Sequence, residues 1–426
     1  MTDLTINPPR GGFHAEVTVP GDKSLSHRAL ILAAMAKGES RVSGLGPGAD
    51  VAATGELLGA LGVDVGGAIV ASSGVEAWTK ADEPLDCGNS GTTLRLMAGA
   101  LAGRPFTSTL TGDESLRARP MRRLVAPLTA LGATVALSEG DTAPLEVGAH
   151  KPLVGADVAL DLASAQVRTA FALAALQAEG PSTIESPAGY RDHTERWLEA
   201  MGLGTRLDGT AFRIDPGPVP PTDYEIPGDP SSAAYLWAAA AISRGSEVTT
   251  PGIVLNPGRI GFLQILEMFG AVIEASVTGS ILGDAVGTVT VRGHGLFAAE
   301  VSGPLAVAAL DELPLVAVLG ALGEGITVVR DAQELRAKES DRIESTVNMI
   351  RALGGGAEST EDGFAVVGTG WLEPGTVASA GDHRIAMAAA VAATGATGPI
   401  TIEDAGVAAV SWPGFYEQLE ATWSSQ

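Results

Sequence analysis

The sequence predicts an α+β protein of two domains, each holding three copies of one supersecondary unit, and three observations predict it. First, apolar helix ends close on a glycine at Leu61-Gly62, Leu131-Gly132, Met201-Gly202, Phe269-Gly270 and Leu353-Gly354, with spacings of 70, 70, 68 and 84 residues. Helices commonly end on a left-handed glycine, and self-similarity at a fixed period marks a repeat; a period of about 71 residues fills the chain with six units, the last ending without its glycine. Second, each unit carries an Ala-rich stretch that is apolar all round, at 24–36, 91–101, 164–177, 231–243, 311–322 and 382–393. A helix with no polar face is a buried helix. Third, Val19-Pro20-Gly21-Asp22 recurs 207 residues later as Ile226-Pro227-Gly228-Asp229, each time ahead of a buried helix. Pro-Gly is a common turn, but a repeat at three units' distance reads as a pair of chain crossings. The expected domains are 1–20 with 229–426, which contains both termini, and an inserted 21–228, with hinges near Gly21 and Gly228.

Within a unit, the order is strand, buried helix, strand, surface helix, then one or two strands. Amphipathic stretches at 50–61, 120–131, 194–201 and 340–353 supply surface helices, and short alternating runs such as 17–19 and 364–367 supply strands. The composition agrees: the chain is 45% apolar but only 4% aromatic, so its cores consist of closely packed small residues.

Charge and cysteine content exclude several functions. With 27 basic against 50 acidic side chains the net charge is −23, the opposite of the basic footprint that nucleic-acid binding needs. The one cysteine, Cys87, cannot form an internal disulfide or a multi-cysteine metal site and reads as a buried structural thiol. Residues 1–10 hold two prolines and no apolar run, and no stretch approaches about eighteen apolar residues, so neither a signal peptide nor a membrane span is expected. A cytoplasmic protein with no nucleic-acid or membrane partner follows.

The chemistry gathers at helix starts. Helix N-termini are partially positive and favour acidic side chains, yet here Lys23 and Arg28 open the first buried helix. Arg117, Arg119, Arg122 and Arg123 open a surface helix, Lys338 and Arg342 precede another, and His383-Arg384 begin the last buried one. In a chain with five lysines, cations stacked where the backbone is already positive make sense if anions bind between them. Each case has a plainer reading. Ser24 or Asp311 can be simple caps, the arginine run can be a solvated face, and Ser164-Ala165-Gln166 says little alone. Recurrence at equivalent points of the repeat favours anion sites. There is no Walker loop, dinucleotide glycine fingerprint or His-Glu-x-x-His, and His14, His27, His150, His193, His294 and His383 show no metal-ligand spacing. Only His383 is placed for function, and neither a metal nor a cofactor is expected.

Seven ordered strings carry a resemblance: PGDKSLSHRALILAA (20–34), DCGNSGTTLR (86–95), GDESLRARPM (112–121), SAQVRTA (164–170), PGDPSSAA (227–234), LRAKESDRI (335–343) and GDHRIAMA (381–388). Together they resemble the 5-enolpyruvylshikimate-3-phosphate synthase (3-phosphoshikimate 1-carboxyvinyltransferase) family over nearly the whole chain. The resemblance implies an α/β prism, with three βαβαββ units per domain and an active site in the interdomain cleft. It also implies a monomeric transferase of the shikimate pathway, serving aromatic amino acid biosynthesis. The reaction implied is transfer of the enolpyruvyl group of phosphoenolpyruvate to the 5-hydroxyl of 3-phosphoshikimate through a tetrahedral intermediate, with release of phosphate. By the same resemblance Lys23, Ser24, Arg28, Ser164, Ala165, Gln166, Arg191, Asp311 and Lys338 hold phosphoshikimate. Lys23, Asn89, Gly91, Arg119, Gln166, Arg342 and Arg384 hold phosphoenolpyruvate. Asp311 is the base on the hydroxyl and Glu339 the acid-base at the methylene, with Lys23 assisting. Repulsion between cation clusters in the two halves, relieved by phosphoshikimate, implies domain closure, and Gly91 implies sensitivity to glyphosate.

Two positions depart from the family. The Lys that many members carry two residues before an aromatic-Pro pair is Val410 here, and an Asn four residues ahead of Lys338 is Glu334, which is therefore left out of the site. The rival UDP-N-acetylglucosamine 1-carboxyvinyltransferase reading needs a loop cysteine that 114–120 lacks. An RNA-end cyclase on a related fold is disfavoured by charge.

Overall fold

The computed structural model describes residues 2–149 and 151–425. The chain divides into two compact units: Met1–Pro20 with Pro227–Gly279 and Ala285–Gln426, and Gly21–Ile226 with Ser280–Asp284. Among the described residues there are six sheets, three in each unit.

In the Gly21–Ile226 unit the three sheets share one topology. The strand orders are Tyr224–Glu225, Lys37–Ser43, Ile69–Ser73, Asp64–Gly66; then Leu85–Asp86, Ser108–Thr111, Leu145–Gly148, Thr134–Leu137; then Asp157–Ala159, Ser182–Glu185, Phe212–Ile214, Gly204–Arg206. In each, the first pair is parallel and the other two are antiparallel. A parallel pair needs a crossover, and a helix supplies it: Gly91–Leu101 joins Leu85–Asp86 to Ser108–Thr111, and Ala165–Ala175 joins Asp157–Ala159 to Ser182–Glu185. In the other unit the same plan uses N-terminal strands to complete two sheets. His14–Glu16 pairs in parallel with Glu247–Val254, and Leu4–Ile6 pairs antiparallel with Ile400–Glu403.

The buried helices are Lys23–Met35, Gly91–Leu101, Ala165–Ala175, Pro230–Ile242, Leu313–Leu322 and His383–Ala392. Five of them begin on a side-chain cap: Asp22, Ser90, Ser164, Asp229 and Asp382 each accept a backbone N–H of the first turn. The small-residue composition shows its effect between Gly91–Leu101 and Ala165–Ala175, where a Cβ on Gly99 would lie 2.1 Å from the Ala170 carbonyl oxygen. Every glycine that defined the period is left-handed, with φ of 89, 95, 72, 98 and 76° at Gly62, Gly132, Gly202, Gly270 and Gly354. The long 84-residue interval holds the paired strands Val272–Ile281 and Asp284–Arg292, far longer than Asp64–Gly66 and Ile69–Ser73 of the first repeat.

Three expectations need correction. The first buried helix is capped by Asp22, so Ser24 is not a cap. The strand expected at 17–19 lies at His14–Glu16; Val17 and Val19 alternate because both are buried, and Pro20 has no N–H to extend the ladder. The surface helix expected from 120 begins only at Val125, after a 3₁₀ turn at Arg122–Leu124, so the arginine run precedes that helix and does not open it. Among the described residues no helix is long and apolar enough to cross a membrane.

Candidate active site

In the Gly21–Ile226 unit the starts of three buried helices carry most of the expected anion-binding residues. Lys23 is the first residue of its helix, and its Nζ lies 3.0 Å from Asp50 Oδ2. One turn on, Arg28 is buried. Its Nε donates to Thr194 Oγ1 at 2.8 Å, one terminal nitrogen to Thr169 Oγ1 at 2.8 Å and the other to the Ser24 carbonyl at 2.9 Å. Burial lowers the Arg28 pKa to about 10, with Glu195, Asp22 and Asp284 acting against it and Arg191 adding to it. The guanidinium is thus a buried cation near a second one, and an anion at this point stabilises both.

The second helix start is built from Asn89, Ser90 and Gly91. Arg119 donates to Asn89 Oδ1 at 2.6 Å, and Asn89 donates in turn to Asp113 Oδ2 at 2.6 Å. At the third start Gln166 bridges: its Oε1 accepts from Arg95 at 2.8 Å and its Nε2 donates to Thr92 Oγ1 at 2.9 Å. Ser164 caps that helix and Ala165 is its first residue. Two helix starts are therefore joined through Gln166, which positions its amide by hydrogen bonds at both ends.

Of the arginine run only Arg119 belongs to this group. Arg117, Arg122 and Arg123 are exposed, and Arg122 reaches Asp141 at 2.9 Å on an open face. The solvated-face reading therefore holds for those three.

In the unit containing both termini a second group forms around Arg342, which is 1% exposed. Its Nε lies 2.7 Å from Asp382 Oδ2, a terminal nitrogen lies 3.3 Å from Asp311 Oδ1, and it also bonds Glu339. Arg384 donates to the Asp311 carbonyl at 3.1 Å and lies 3.6 Å from Asp311 Oδ2. Burial works against the charge on both arginines, but the carboxylates outweigh it, chiefly Asp382 and Glu339 at Arg342 and Asp311 at Arg384, so both are held above the ordinary range. Burial likewise opposes ionisation of Asp382, yet Arg342 keeps its carboxyl below the usual range. Asp311 sits in a 3₁₀ turn, Leu310–Glu312, and the helix that follows has no side-chain cap bond. The plain cap reading of Asp311 fails: its carboxylate faces arginines instead.

Four of the expected cations have carboxylate partners, whereas Arg28 is bonded to two hydroxyls and a carbonyl. Lys23 has Asp50, Lys338 has Glu334 at 3.6 Å, and Arg342 and Arg384 share Asp311. Glu334, left out of the expected site, is the carboxylate nearest Lys338. Val410 closes a 3₁₀ turn, Ala405–Val410, just before the buried Trp412.

Sequence reasoning also missed Arg95, Asp50, Thr169, Thr194 and Asp382. Arg95 stands one helical turn from Gly91, which was the available signal; Asp50, Thr169 and Thr194 are brought in by other helices and carry none. Among the histidines His383 begins its helix, buried beside Asp382. Two others are also buried in polar contacts: His27 Nδ1 lies 2.8 Å from Thr54 Oγ1, and His193 Nδ1 lies 2.8 Å from Asp284. His14 and His294 are exposed, and His150 lies outside the described residues. Cys87 is buried, and burial pushes its thiol pKa up, away from nucleophilic use.

Known proteins match along almost the whole chain. The family model for EPSP synthase (3-phosphoshikimate 1-carboxyvinyltransferase) matches residues 9–419. A 3-phosphoshikimate 1-carboxyvinyltransferase from Chloroflexus aurantiacus is 45% identical, with 98% of each chain covered. One from Alkalilimnicola ehrlichii is 43% identical over 96% of this chain and 93% of that one. The solved EPSP synthase of Acinetobacter baumannii is 34% identical and superposes with a TM-score of 0.87, covering 99% of this chain and 98% of the other. Such likeness extends through both units and through all seven strings, so the chain belongs to the EPSP synthase (3-phosphoshikimate 1-carboxyvinyltransferase) family.

Proposed function

We propose that this chain transfers the enolpyruvyl group of phosphoenolpyruvate to the 5-hydroxyl of 3-phosphoshikimate and releases phosphate, as a cytoplasmic monomer that needs neither metal nor cofactor. The observation that carries the reading is Asp311, a carboxylate that precedes the N-cap position of its helix and is held against Arg342 and Arg384. Phosphoshikimate binds Lys23, Ser24, Arg28, Ser164, Ala165, Gln166, Arg191, Asp311 and Lys338; phosphoenolpyruvate binds Lys23, Asn89, Gly91, Arg119, Gln166, Arg342 and Arg384.

The enol ether carbon of phosphoenolpyruvate is a poor electrophile until its methylene is protonated. Asp311 takes the proton of the 5-hydroxyl while Glu339, assisted by Lys23, delivers one to the methylene, giving a tetrahedral adduct. Removal of a methyl proton then expels phosphate. Arg342 bonds both carboxylates. Arrival of a polyanion at the same guanidinium weakens its hold on Glu339 and raises that group's proton affinity, the change an acid needs.

The deciding experiment follows inorganic phosphate from phosphoenolpyruvate with and without 3-phosphoshikimate. Phosphate that appears only with both substrates, in step with the enolpyruvyl product, is expected. Turnover of UDP-N-acetylglucosamine in place of phosphoshikimate overturns the acceptor assignment.

A further inference from the structure

The repeat is lengthened in one interval, and the added residues place a carboxylate beside the acceptor-binding elements. The segment Ser280–Asp284 belongs to the unit formed by Gly21–Ile226. It makes a tight turn in which Leu282 and Gly283 both have positive φ, 44 and 84°. Leu is a rare and strained occupant of that region, so the surroundings hold this turn in place. Asp284 is 0% exposed. Its Oδ2 lies 2.8 Å from His193 Nδ1 and accepts from Trp197 Nε1 at 3.2 Å, and its Oδ1 lies 3.5 Å from Arg196 Nε. Arg196 also donates to the Gly283 carbonyl at 3.1 Å and to Asp192 Oδ1 at 2.8 Å.

Residues 193, 196 and 197 share one face of the helix His193–Ala200. The same first turn carries Thr194, whose hydroxyl accepts from Arg28 and pairs with Thr169 at 2.7 Å. Arg191 stands two residues before the helix. From the other side Arg168 bonds Glu195 at 2.6 Å and packs over the Tyr190 ring at 4.1 Å. The segment bearing Arg191 and Thr194 is therefore clamped from two directions.

We infer that Asp284 is a positioning residue of the acceptor subsite: it fixes the first turn of helix His193–Ala200 and, through it, Arg191 and the Thr194–Arg28 bond. This rests on the proposal that Arg28 and Arg191 bind phosphoshikimate. Asp284 touches no substrate in this arrangement; it acts through His193, Arg196 and Trp197. Its charge also supports that of Arg28 against burial. The consequence is selective, because Asn89, Arg119, Arg342 and Arg384, assigned to phosphoenolpyruvate, stand on elements other than helix His193–Ala200.

The test uses the full chain with Asp284→Asn and Asp284→Ala, beside Arg191→Ala and Arg28→Lys. Steady-state constants for both substrates are measured, together with thermal unfolding and calorimetric binding of 3-phosphoshikimate alone. Asp284→Asn is expected to raise the phosphoshikimate KM about tenfold, equivalent to about 1.4 kcal/mol, and to weaken direct binding equally. Its phosphoenolpyruvate KM and kcat should stay within about threefold, and Asp284→Glu should recover part of the loss. Unchanged phosphoshikimate constants in a folded Asp284→Asn protein overturn the inference. So does an equal rise in both Michaelis constants, or a failure of Asp284→Asn to fold, since either makes Asp284 a general support of the fold. If Arg191→Ala and Arg28→Lys also leave phosphoshikimate unaffected, it is the acceptor assignment that falls, and this inference with it.

Discussion

Asp311 and Arg342 meet at 3.3 Å, and the same carboxylate lies 3.6 Å from Arg384. Two guanidiniums orient one carboxylate, which suits a base whose substrate proton must arrive from a fixed direction. Asp311→Asn keeps the shape and removes the basic oxygen. Turnover should fall by about 10² to 10⁴, with both Michaelis constants changed less than about threefold. Activity within threefold of the parent leaves Asp311 no part in proton transfer.

Arg119 and Arg384 bind phosphoenolpyruvate in the proposal, each through charge-assisted bonds. Truncating either to Ala removes about 1.5 to 3 kcal/mol, so the phosphoenolpyruvate KM should rise from about tenfold to over a hundredfold. Arg119 also donates to Asn89 and Ser115, so thermal unfolding is measured alongside to show that the Ala variant is folded. Arg384→Ala also removes a cation beside Asp311 and Glu312 and should lose more stability. Parental KM values in both variants contradict the assignment.

A methyl group on Gly91 would stand 2.8 Å from an Arg95 terminal nitrogen and 3.5 Å from one of Arg119. Arg95 can swing away, but doing so disturbs its 2.8 Å bond to Gln166 and narrows the space at the helix start. Glyphosate should compete with phosphoenolpyruvate, and Gly91→Ala should raise its inhibition constant by about tenfold, more than it raises the substrate KM. Equal effects on inhibitor and substrate refute this.

Burial lowers the pKa of His27 to about 3, with nearby Lys23 and Arg28 lowering it further and Asp50 opposing them. The folded value lies below the unfolded one, so the unfolded chain takes up the proton first. This stability is complete above about pH 6.5 and is lost as pH falls toward 3, at roughly 1 to 1.5 kcal/mol per pH unit. His27→Gln should unfold in urea with a shallower acid dependence than the parent. A stability difference that stays constant from pH 7 to pH 4 rules the mechanism out.

The fold was legible where repetition exposed it. Left-handed glycines after apolar helix ends and all-apolar helices recur because each unit solves the same packing problem, and the structure has six sheets and six buried helices to match among the described residues. Strand 17–19 was misplaced because alternation reports burial, whereas pairing depends on a partner such as Glu247–Val254 that is far away in sequence. Lys23 and Arg28 could be named because cations at a helix start are conspicuous, whereas Arg119 and Gln166 were singled out by the family strings that contain them and Asp311 by the same resemblance. Asp50, Thr169 and Thr194 could not, since a hydroxyl or carboxylate on a different helix has no local mark. Asp284 had only an indirect one, the interval stretched from about 70 to 84 residues.

Gly99 and Ala170 leave no room for a side chain between their helices. Rotamers adjust to temperature, mutation and bound molecules, whereas two backbones in van der Waals contact have almost no slack. The helix pair therefore works as a calliper, its jaws being the starts that carry Gly91 and Gln166, with a gauge set by main-chain atoms alone. Seen this way, the scarcity of aromatic residues is a matter of tolerance: a bulkier core could be equally stable and still leave the jaws a few tenths of an ångström out of true.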